Sequence, residues 1–236
     1  ANLTAIKDDL VAHKADNVPY HVRTATVVVA ASDSKYKQYA DYVCNGTNDK
    51  NIILAALNAL PAPQGGKVLL LDGNYYMNTA IFYSTVKNIV FSGVGSATKL
   101  LFGGSGYDYG IQFRPSSADT VDISIENLVA ERISGDWGAL LQIGNCRTAR
   151  FANVKVMNNI ATTRVGEGIN TYPANKELII ENCLVQNCTG RGIYVHGNNS
   201  KIINCTIMNN GVGIAIHHTA NNVIIDGCHV SGNTTQ

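Results

Sequence analysis

The sequence contains few charged residues and no long apolar segment. Asp, Glu, Lys and Arg together make up 15% of the 236 residues, which is low for a globular surface, and the net charge is +1. This near-neutral balance gives no electrostatic reason to expect a nucleic-acid partner. No apolar run approaches the roughly 20 residues of a membrane helix, so we predict a protein without a membrane span.

The six cysteines lack the spacing of a disulfide framework or of a metal site. Cys183, Cys205 and Cys228 recur at matching points of a repeat, so we interpret them as small apolar residues stacked on one another. The sequence therefore predicts reduced thiols, no bound metal and no cofactor.

A repeat is the most informative feature that the sequence does contain. Ile-Glu-Asn-Cys at 180–183 aligns with Ile-Ile-Asn-Cys at 202–205 and Ile-Asp-Gly-Cys at 225–228, at steps of 22 and 23 residues. Two earlier copies, at 151–154 and 125–128, precede these at steps of 29 and 26 residues. Asparagines at equivalent positions of the repeat form two columns, the first with Asn127, Asn153, Asn182 and Asn204 and the second with Asn158, Asn187 and Asn209. A period of roughly 20 to 30 residues with polar turns is typical of a solenoid.

The asparagine columns suit closely stacked turns. Neighbouring strands lie about 4.8 Å apart, so an amide can donate to the turn on one side and accept from the other. A Gly-x-Gly motif also recurs, at 166–168, 190–192 and 211–213, and alternating apolar and polar residues follow it as in a half-buried strand. No helix follows the motif, which argues against nucleotide binding. The sequence predicts an all-β fold, a right-handed parallel β-helix that forms a single-stranded solenoid.

The predicted organisation has two parts, and the second includes a capping helix. Residues 1–24 form a polar lead-in segment, and residues 25–236 form the β-helix. An amphipathic helix at about 49–60 is predicted to cap the first turn, since a solenoid otherwise exposes unpaired backbone there. At the other end the last turn stops partway and shows no cap, so we expect either a longer natural chain or a partner that covers it.

The segment after residue 44 resembles the entry motif of pectate-lyase-like β-helix proteins, in which D-G-x-x-D-D precedes a helix and G-G-x-V-x-x-P-x-G-x-Y begins the first coil. The matching stretches are Asn-Gly-Thr-Asn-Asp at 45–49, Ala-Ala-Leu-Asn-Ala-Leu-Pro at 55–61 and Gly-Gly-Lys-Val-Leu-Leu-Leu-Asp-Gly-Asn-Tyr at 65–75. Val-Gly-Ser-Ala-Thr-Lys-Leu at 94–100 is similar to a later family motif. Asn45 and Asn48 depart from the usual Asp. The resemblance covers about residues 41–236 and implies the fold.

The lead-in resembles a second group. His-Lys-Ala-Asp-Asn-Val-Pro-Tyr-His at 13–21 is similar to segments of tail and tail-spike proteins from phages of Gram-positive bacteria. Together the two resemblances imply a tail-spike-like protein, a homotrimer on the virion tail, that binds and in its catalytic form cleaves host cell-surface polysaccharide. The alternatives are a non-catalytic structural or adhesive β-helix of a virion, and a secreted bacterial polysaccharide lyase or epimerase.

The candidate site follows from the strand alternation after each Gly-x-Gly. Ile169, Ile193 and Ile214 are predicted to point inward, so their neighbours form a polar and aromatic surface across several turns. Sugars suit such a surface, because rings stack on aromatic faces and hydroxyls pair with planar polar groups. The predicted substrate-binding residues are Trp137, Gln142, Asn170, Tyr172, Tyr194 and His217.

Two chemistries remain open for this surface, and the predicted catalytic residues are Glu167, Arg191, Asp136 and His196. A lyase acting on uronic acids needs a cation, for which Arg191 is suited, and a base, for which we consider His196 or a tyrosine. A glycoside hydrolase needs two carboxylates about 5 to 9.5 Å apart, for which Asp136 and Glu167 are candidates. The simpler alternatives are a surface ion pair between Glu167 and Arg191 and a buried Trp137.

Overall fold

The computed structural model describes residues 25–104, 107–116, 120–172 and 175–235, so the predicted lead-in at 1–24 lies outside the described residues. In chain order the elements are β1 (Ala25–Ala30), a short 3-10 helix (Lys37–Tyr39), β2 (Tyr42–Val43), α1 (Lys50–Ala59), β3 (Gly66–Leu70), β4 (Gly73–Met77), β5 (Ile81–Tyr83), β6 (Ile89–Ser92), β7 (Thr98–Phe102), β8 (Tyr109–Phe113), β9 (Asp122–Glu126), β10 (Val129–Arg132), β11 (Ala139–Ile143), β12 (Thr148–Ala152), β13 (Lys155–Met157), β14 (Glu167–Thr171), β15 (Glu177–Glu181), β16 (Leu184–Gln186), β17 (Arg191–Val195), β18 (Ser200–Ile203), β19 (Thr206–Met208), β20 (Val212–Ile216), β21 (Val223–Asp226) and β22 (His229–Ser231).

The strands form three parallel sheets that each turn of the chain visits in order. The first sheet has the order β2-β1-β3-β6-β9-β12-β15-β18-β21, the second β22-β19-β16-β13-β10-β7-β4 and the third β20-β17-β14-β11-β8-β5. Strands from β3 to β20 thus make six turns of three strands each, and β21 and β22 begin another. The predicted parallel β-helix is confirmed.

Inward side chains stack from turn to turn and fill the interior. Ile125, Phe151, Ile180 and Ile202 pair in register along the first sheet, and each is 0% exposed. Cys183 and Cys205 are buried at the predicted stacked positions, and the Cys205 N–H donates to Cys228 Sγ (3.5 Å). The repeat in the sequence therefore corresponds to vertical columns in the core.

The asparagines of both predicted columns have left-handed backbone. Asn127, Asn153, Asn182 and Asn204 have φ between 52° and 54°, and Asn158, Asn187 and Asn209 have φ between 56° and 62°. Their side chains also bond between turns: Asn153 Nδ2 donates to Asn127 Oδ1 (3.1 Å), and Asn187 Nδ2 donates to Asn158 Oδ1 (3.0 Å). Asn tolerates this conformation better than other side chains with a Cβ, which explains why it recurs at these turns.

Helix α1 lies against β1 at the end where the first turn begins, inside the predicted range of 49–60. Its buried face consists of Ile53, Ala56 and Leu57. The buried Asp49 before it accepts hydrogen bonds from the N–H groups of Gly46 (2.9 Å) and Tyr76 (2.8 Å), which ties the helix start to β4. In the described part of the chain, no helix is both long and apolar enough to cross a membrane.

Candidate functional site

The outer face of the third sheet carries most of the predicted site residues, arranged in three rows along the helix axis. Strand register pairs the residues of the middle row, which are Phe82, Gln112, Gln142, Asn170, Tyr194 and Ala215. The row before it contains Ala139, Glu167, Arg191 and Val212. The row after it contains Arg114, Gly144, Tyr172, His196 and His217, and each of these follows a strand of the sheet.

The Gly-x-Gly motifs create an irregularity that places Glu167 beside Asn170. A Cβ on Gly168 would lie 2.5 Å from Val185 Cγ1 and 3.3 Å from Cys188 Sγ, so this position faces the core although Ile169 after it is also buried. Two successive inward residues interrupt the period-2 alternation. The residues on either side, Glu167 and Asn170, therefore both reach the outer face and bond each other.

The Glu167 carboxylate is held on both of its oxygens. Oε1 forms an ion pair with Arg191 Nη1 (2.5 Å), and Oε2 accepts a hydrogen bond from Asn170 Nδ2. Glu167 is only 5% exposed, whereas the Arg191 side chain is 34% exposed. The structure thus contains the ion pair that the sequence suggested, and the guanidinium is the part of the pair that a ligand can reach.

A ladder of buried amides continues from Glu167 along the middle row. Asn170 Oδ1 accepts from Gln142 Nε2 (2.9 Å), and Gln142 Oε1 accepts from Gln112 Nε2. Gln112, Gln142 and Asn170 are at most 8% exposed, although they are on the outer face. Gln142 and Asn170, which the sequence predicted to touch substrate, therefore support Glu167 from beneath the surface.

Rings and guanidinium groups form the exposed layer above these amides. The Arg191 guanidinium lies 3.9 Å from the Tyr194 ring centroid, and the Tyr194 and His196 rings are 4.1 Å apart. His196 stacks on His217 at 4.4 Å, and His217 lies 4.0 Å from His218. Each of these contacts joins planar groups from the same or neighbouring turns.

The environment of His196 keeps its imidazole neutral at pH 7. Burial first, and then the charges of His217, Arg191 and His218, lower the pKa of His196 to about 4. Its Nδ1 is buried and has no hydrogen-bond partner among the described residues. A neutral imidazole has one unprotonated nitrogen, which can accept a hydrogen bond or a proton, and this is the chemistry the sequence assigned to His196.

A second ring contact joins two residues that are two turns apart. The Arg114 guanidinium is 3.6 Å from the Tyr172 ring centroid, across the turn that contains Gly144. A Cβ on Gly144 would lie 2.1 Å from Tyr172 Cβ, so only glycine leaves room for this arrangement. Sequence reasoning missed Arg114 and Gln112, although the register would have placed them two turns before Tyr172 and Asn170.

Trp137 does not belong to the exposed surface. It is 0% exposed, donates from Nε1 to the Ser134 carbonyl (3.2 Å) and packs edge-on against Phe102 at 5.4 Å. The alternation that would place it outward fails because the loop before β11 folds into the core. We therefore leave Trp137 out of the candidate site.

Asp136 faces a neighbouring loop rather than the third sheet. Its carboxylate accepts from the N–H groups of Thr162 (2.9 Å) and Thr163 (2.8 Å). The Thr163 hydroxyl, followed by these backbone groups, lowers the pKa of Asp136 to about 2. Asp136 is therefore ionised at neutral pH, as a nucleophile or base would be, but its carboxylate is bound by the 162–163 loop and is not presented on the third sheet, which weakens the hydrolase alternative.

We call the remaining surface the third-sheet strip, and it consists of Arg114, Tyr172, Glu167, Arg191, Tyr194, His196 and His217, with Gln112, Gln142 and Asn170 beneath. It offers two guanidinium–ring pairs and a neutral imidazole, which suit a polyhydroxylated or acidic chain. Over the ranges that the structure describes, no group of three or more His, Cys, Asp or Glu residues could hold a metal ion.

The comparisons with known proteins concern the fold. A solved structure described as Geobacillus virus E2 ORF18 is similar to this chain, with a TM-score of 0.60 and 16% sequence identity over 97% of the chain. The chain spans 45% of the length of that phage protein. Among curated proteins no match is found. The family described as "Right handed beta helix region" matches residues 67–236, and the chain therefore belongs to the right-handed β-helix family.

Proposed function

We propose that this chain binds a cell-surface polysaccharide along the third-sheet strip. The observation that carries the proposal is the pair of preformed guanidinium–ring contacts, Arg114 on Tyr172 (3.6 Å) and Arg191 on Tyr194 (3.9 Å), on one outer face. Such groups are fixed before a ligand arrives, so little side-chain entropy is lost on binding. The guanidinium groups can donate to hydroxyl or carboxylate oxygens, and the ring surface that each leaves uncovered can contact the C–H groups of a sugar.

The virion context has separate support. The fold similarity to a phage protein favours a viral source for this chain over the secreted bacterial alternative. Attachment of a phage to its host by a β-helix protein requires a surface that recognises an envelope glycan, and the third-sheet strip has the chemistry for it. The tail location and the homotrimer stay predictions.

The proposal is tested by screening an array of bacterial cell-envelope polysaccharides and then measuring affinities of variants. Tyr194→Ala is expected to weaken binding of the best array polysaccharide about tenfold, because a stacking ring is lost. Tyr39→Ala is the matched control, since Tyr39 is 47% exposed and lies outside the third sheet. Equal affinity of the two variants would contradict the proposal.

A second candidate is cleavage of a uronic-acid polysaccharide by β-elimination, and the neutral imidazole of His196, which contacts the same Tyr194 ring as Arg191, favours it. Arg191 would neutralise the uronate carboxylate while His196 removes the C5 proton; the C4–C5 double bond then forms, the C4–O bond breaks and the leaving oxygen takes a proton from water.

The elimination is measured by the ultraviolet absorbance of unsaturated uronate ends. His196→Ala is expected to abolish their formation from the array polysaccharide even at concentrations that saturate the variant. If the wild-type protein binds the polysaccharide but forms no unsaturated ends, the elimination is rejected and binding alone stands.

A further inference from the structure

An exposed aromatic ring lies at the far end of the third-sheet strip and takes no part in the core. Phe82, in the middle of β5, is 56% exposed, whereas Ile81 and Tyr83 on either side are buried. Strand register pairs Phe82 with Gln112, the last amide of the buried ladder. Paired positions on neighbouring strands lie about 4.8 Å apart, so the ring borders the Gln112 side chain.

The direction of the amide ladder is fixed by Glu167. An ionised carboxylate can only accept hydrogen bonds, so Asn170 must turn its NH2 group towards Glu167 Oε2. The Asn170 carbonyl then faces Gln142 and accepts from it, and the Gln142 carbonyl in turn accepts from Gln112. Each amide orientation follows from the previous one, over three turns.

The ladder therefore ends on a carbonyl oxygen that receives no hydrogen bond. One N–H of the Gln112 amide donates to Gln142, and among the described residues no donor to the Gln112 carbonyl is found. An acceptor next to an exposed apolar ring matches one sugar unit, which presents C–H groups on its face and hydroxyl donors at its rim.

We propose that Phe82 and the Gln112 carbonyl form a second saccharide subsite, distant from Tyr194, which accepts a hydroxyl and stacks a sugar face. The inference rests on the proposed function and extends it: the bound glycan is long enough to cross four turns, or roughly 19 Å, from Tyr194 to Phe82. Glu167 sets the polarity of this distant subsite through Asn170 and Gln142.

The subsite is tested with fragments of the best array polysaccharide, cut by mild acid into a series from disaccharide to octasaccharide. Phe82→Ala is expected to weaken octasaccharide binding about tenfold and to leave disaccharide binding at the Tyr194 end unchanged. Tyr194→Ala weakens both, and Tyr39→Ala, the exposed control, weakens neither.

The outcomes separate this inference from the proposed function. If Tyr194→Ala weakens octasaccharide binding and Phe82→Ala does not, the subsite is overturned and the proposed function stands. If no array polysaccharide binds at all, the proposed function is rejected and the subsite with it.

The ladder itself is tested without a ligand by NMR of the side-chain amides. In the wild-type protein one of the two Gln112 NH2 hydrogens is expected to exchange slowly, because it bonds to Gln142. In Glu167→Gln, the new amide turns its carbonyl to Arg191 and its NH2 to Asn170, which reverses the ladder and frees the Gln112 NH2 group. Equal exchange of the Gln112 hydrogens in both proteins would overturn the role of Glu167.

Discussion

Single residues on the third sheet depend on partners from other turns. Glu167 lies on β14 but is held by Arg191 of the next turn, and the amide that supports it is itself held by Gln142 of the previous turn. A buried charge of this kind is tolerated because it is paired and hydrogen-bonded. The site is therefore a property of stacked turns and not of one strand.

His196 makes folding stability depend on pH. Its pKa of about 4 in the folded protein lies below the ordinary value of 6.5, so the unfolded chain binds more protons between these two values. Stability is therefore lost as the pH falls from about 6.5, and the loss levels off below about 4. Solvent reaches this partly exposed ring and screens the effect, so we expect a loss of roughly 1 kcal/mol.

Urea unfolding at a series of pH values checks this prediction. His196→Gln has no ring to protonate, so its free energy of unfolding is expected to fall less than that of the wild type between pH about 6.5 and about 4. Parallel pH profiles for the two proteins would show that His196 does not titrate as described.

At the level of elements, the turns between strands require residues with left-handed backbone. Five successive turns between the first and second sheets contain Asn127, Asn153, Asn182, Asn204 and Gly227 at the same place, and all have positive φ. The replacement of asparagine by glycine in the last of these turns shows that the left-handed backbone is the common requirement. The hydrogen bond between amides adds to it where asparagine is present.

Substitutions at Asn153 separate these two contributions. Asn153→Ala is expected to lower the free energy of unfolding by about 2 kcal/mol, because alanine is strained at φ 54° and the bond to Asn127 is lost. Asn153→Gly should recover about half of the loss, since glycine adopts this conformation freely. Chemical denaturation of the three proteins measures the difference, and equal stability of the two variants would contradict the backbone explanation.

Burial in the whole molecule depends on whether a side chain joins an inward column. Ile180 and Ile202 pair in register in one column of the repeat and are 0% exposed, whereas Ile160, between β13 and β14, is 50% exposed. An inward side chain is buried because the turns on both sides of it exclude water.

The same substitution should therefore have different effects at the two kinds of position. Ile180→Ala is expected to cost about 2 to 5 kcal/mol of unfolding free energy, because it leaves a cavity in the core. Ile160→Ala is expected to cost less than about 1 kcal/mol, because its side chain already contacts solvent. Denaturation curves of both variants provide the measurement, and similar losses would contradict the stacking of Ile180 in the core.

The sequence by itself determined the repeat, and with it which side chains stack and where the turns lie. The steps of 22 to 29 residues predict which side chains become vertical neighbours, and the asparagines mark the turns, because both depend on local backbone geometry repeated at about 4.8 Å. Glu167, Arg191, Tyr194 and His196 were found in this way, since they follow the register of the Gly-x-Gly motifs.

Only the tertiary structure decided which of these residues are exposed and which groups they contact or hydrogen-bond. The second inward residue at Gly168 brings Glu167 to Asn170, and the loop before β11 buries Trp137. Arg114 reaches Tyr172 because Gly144 between them has no side chain. A periodic pattern cannot reveal these features, because they arise where a turn departs from the period and where side chains of different turns compete for the same space.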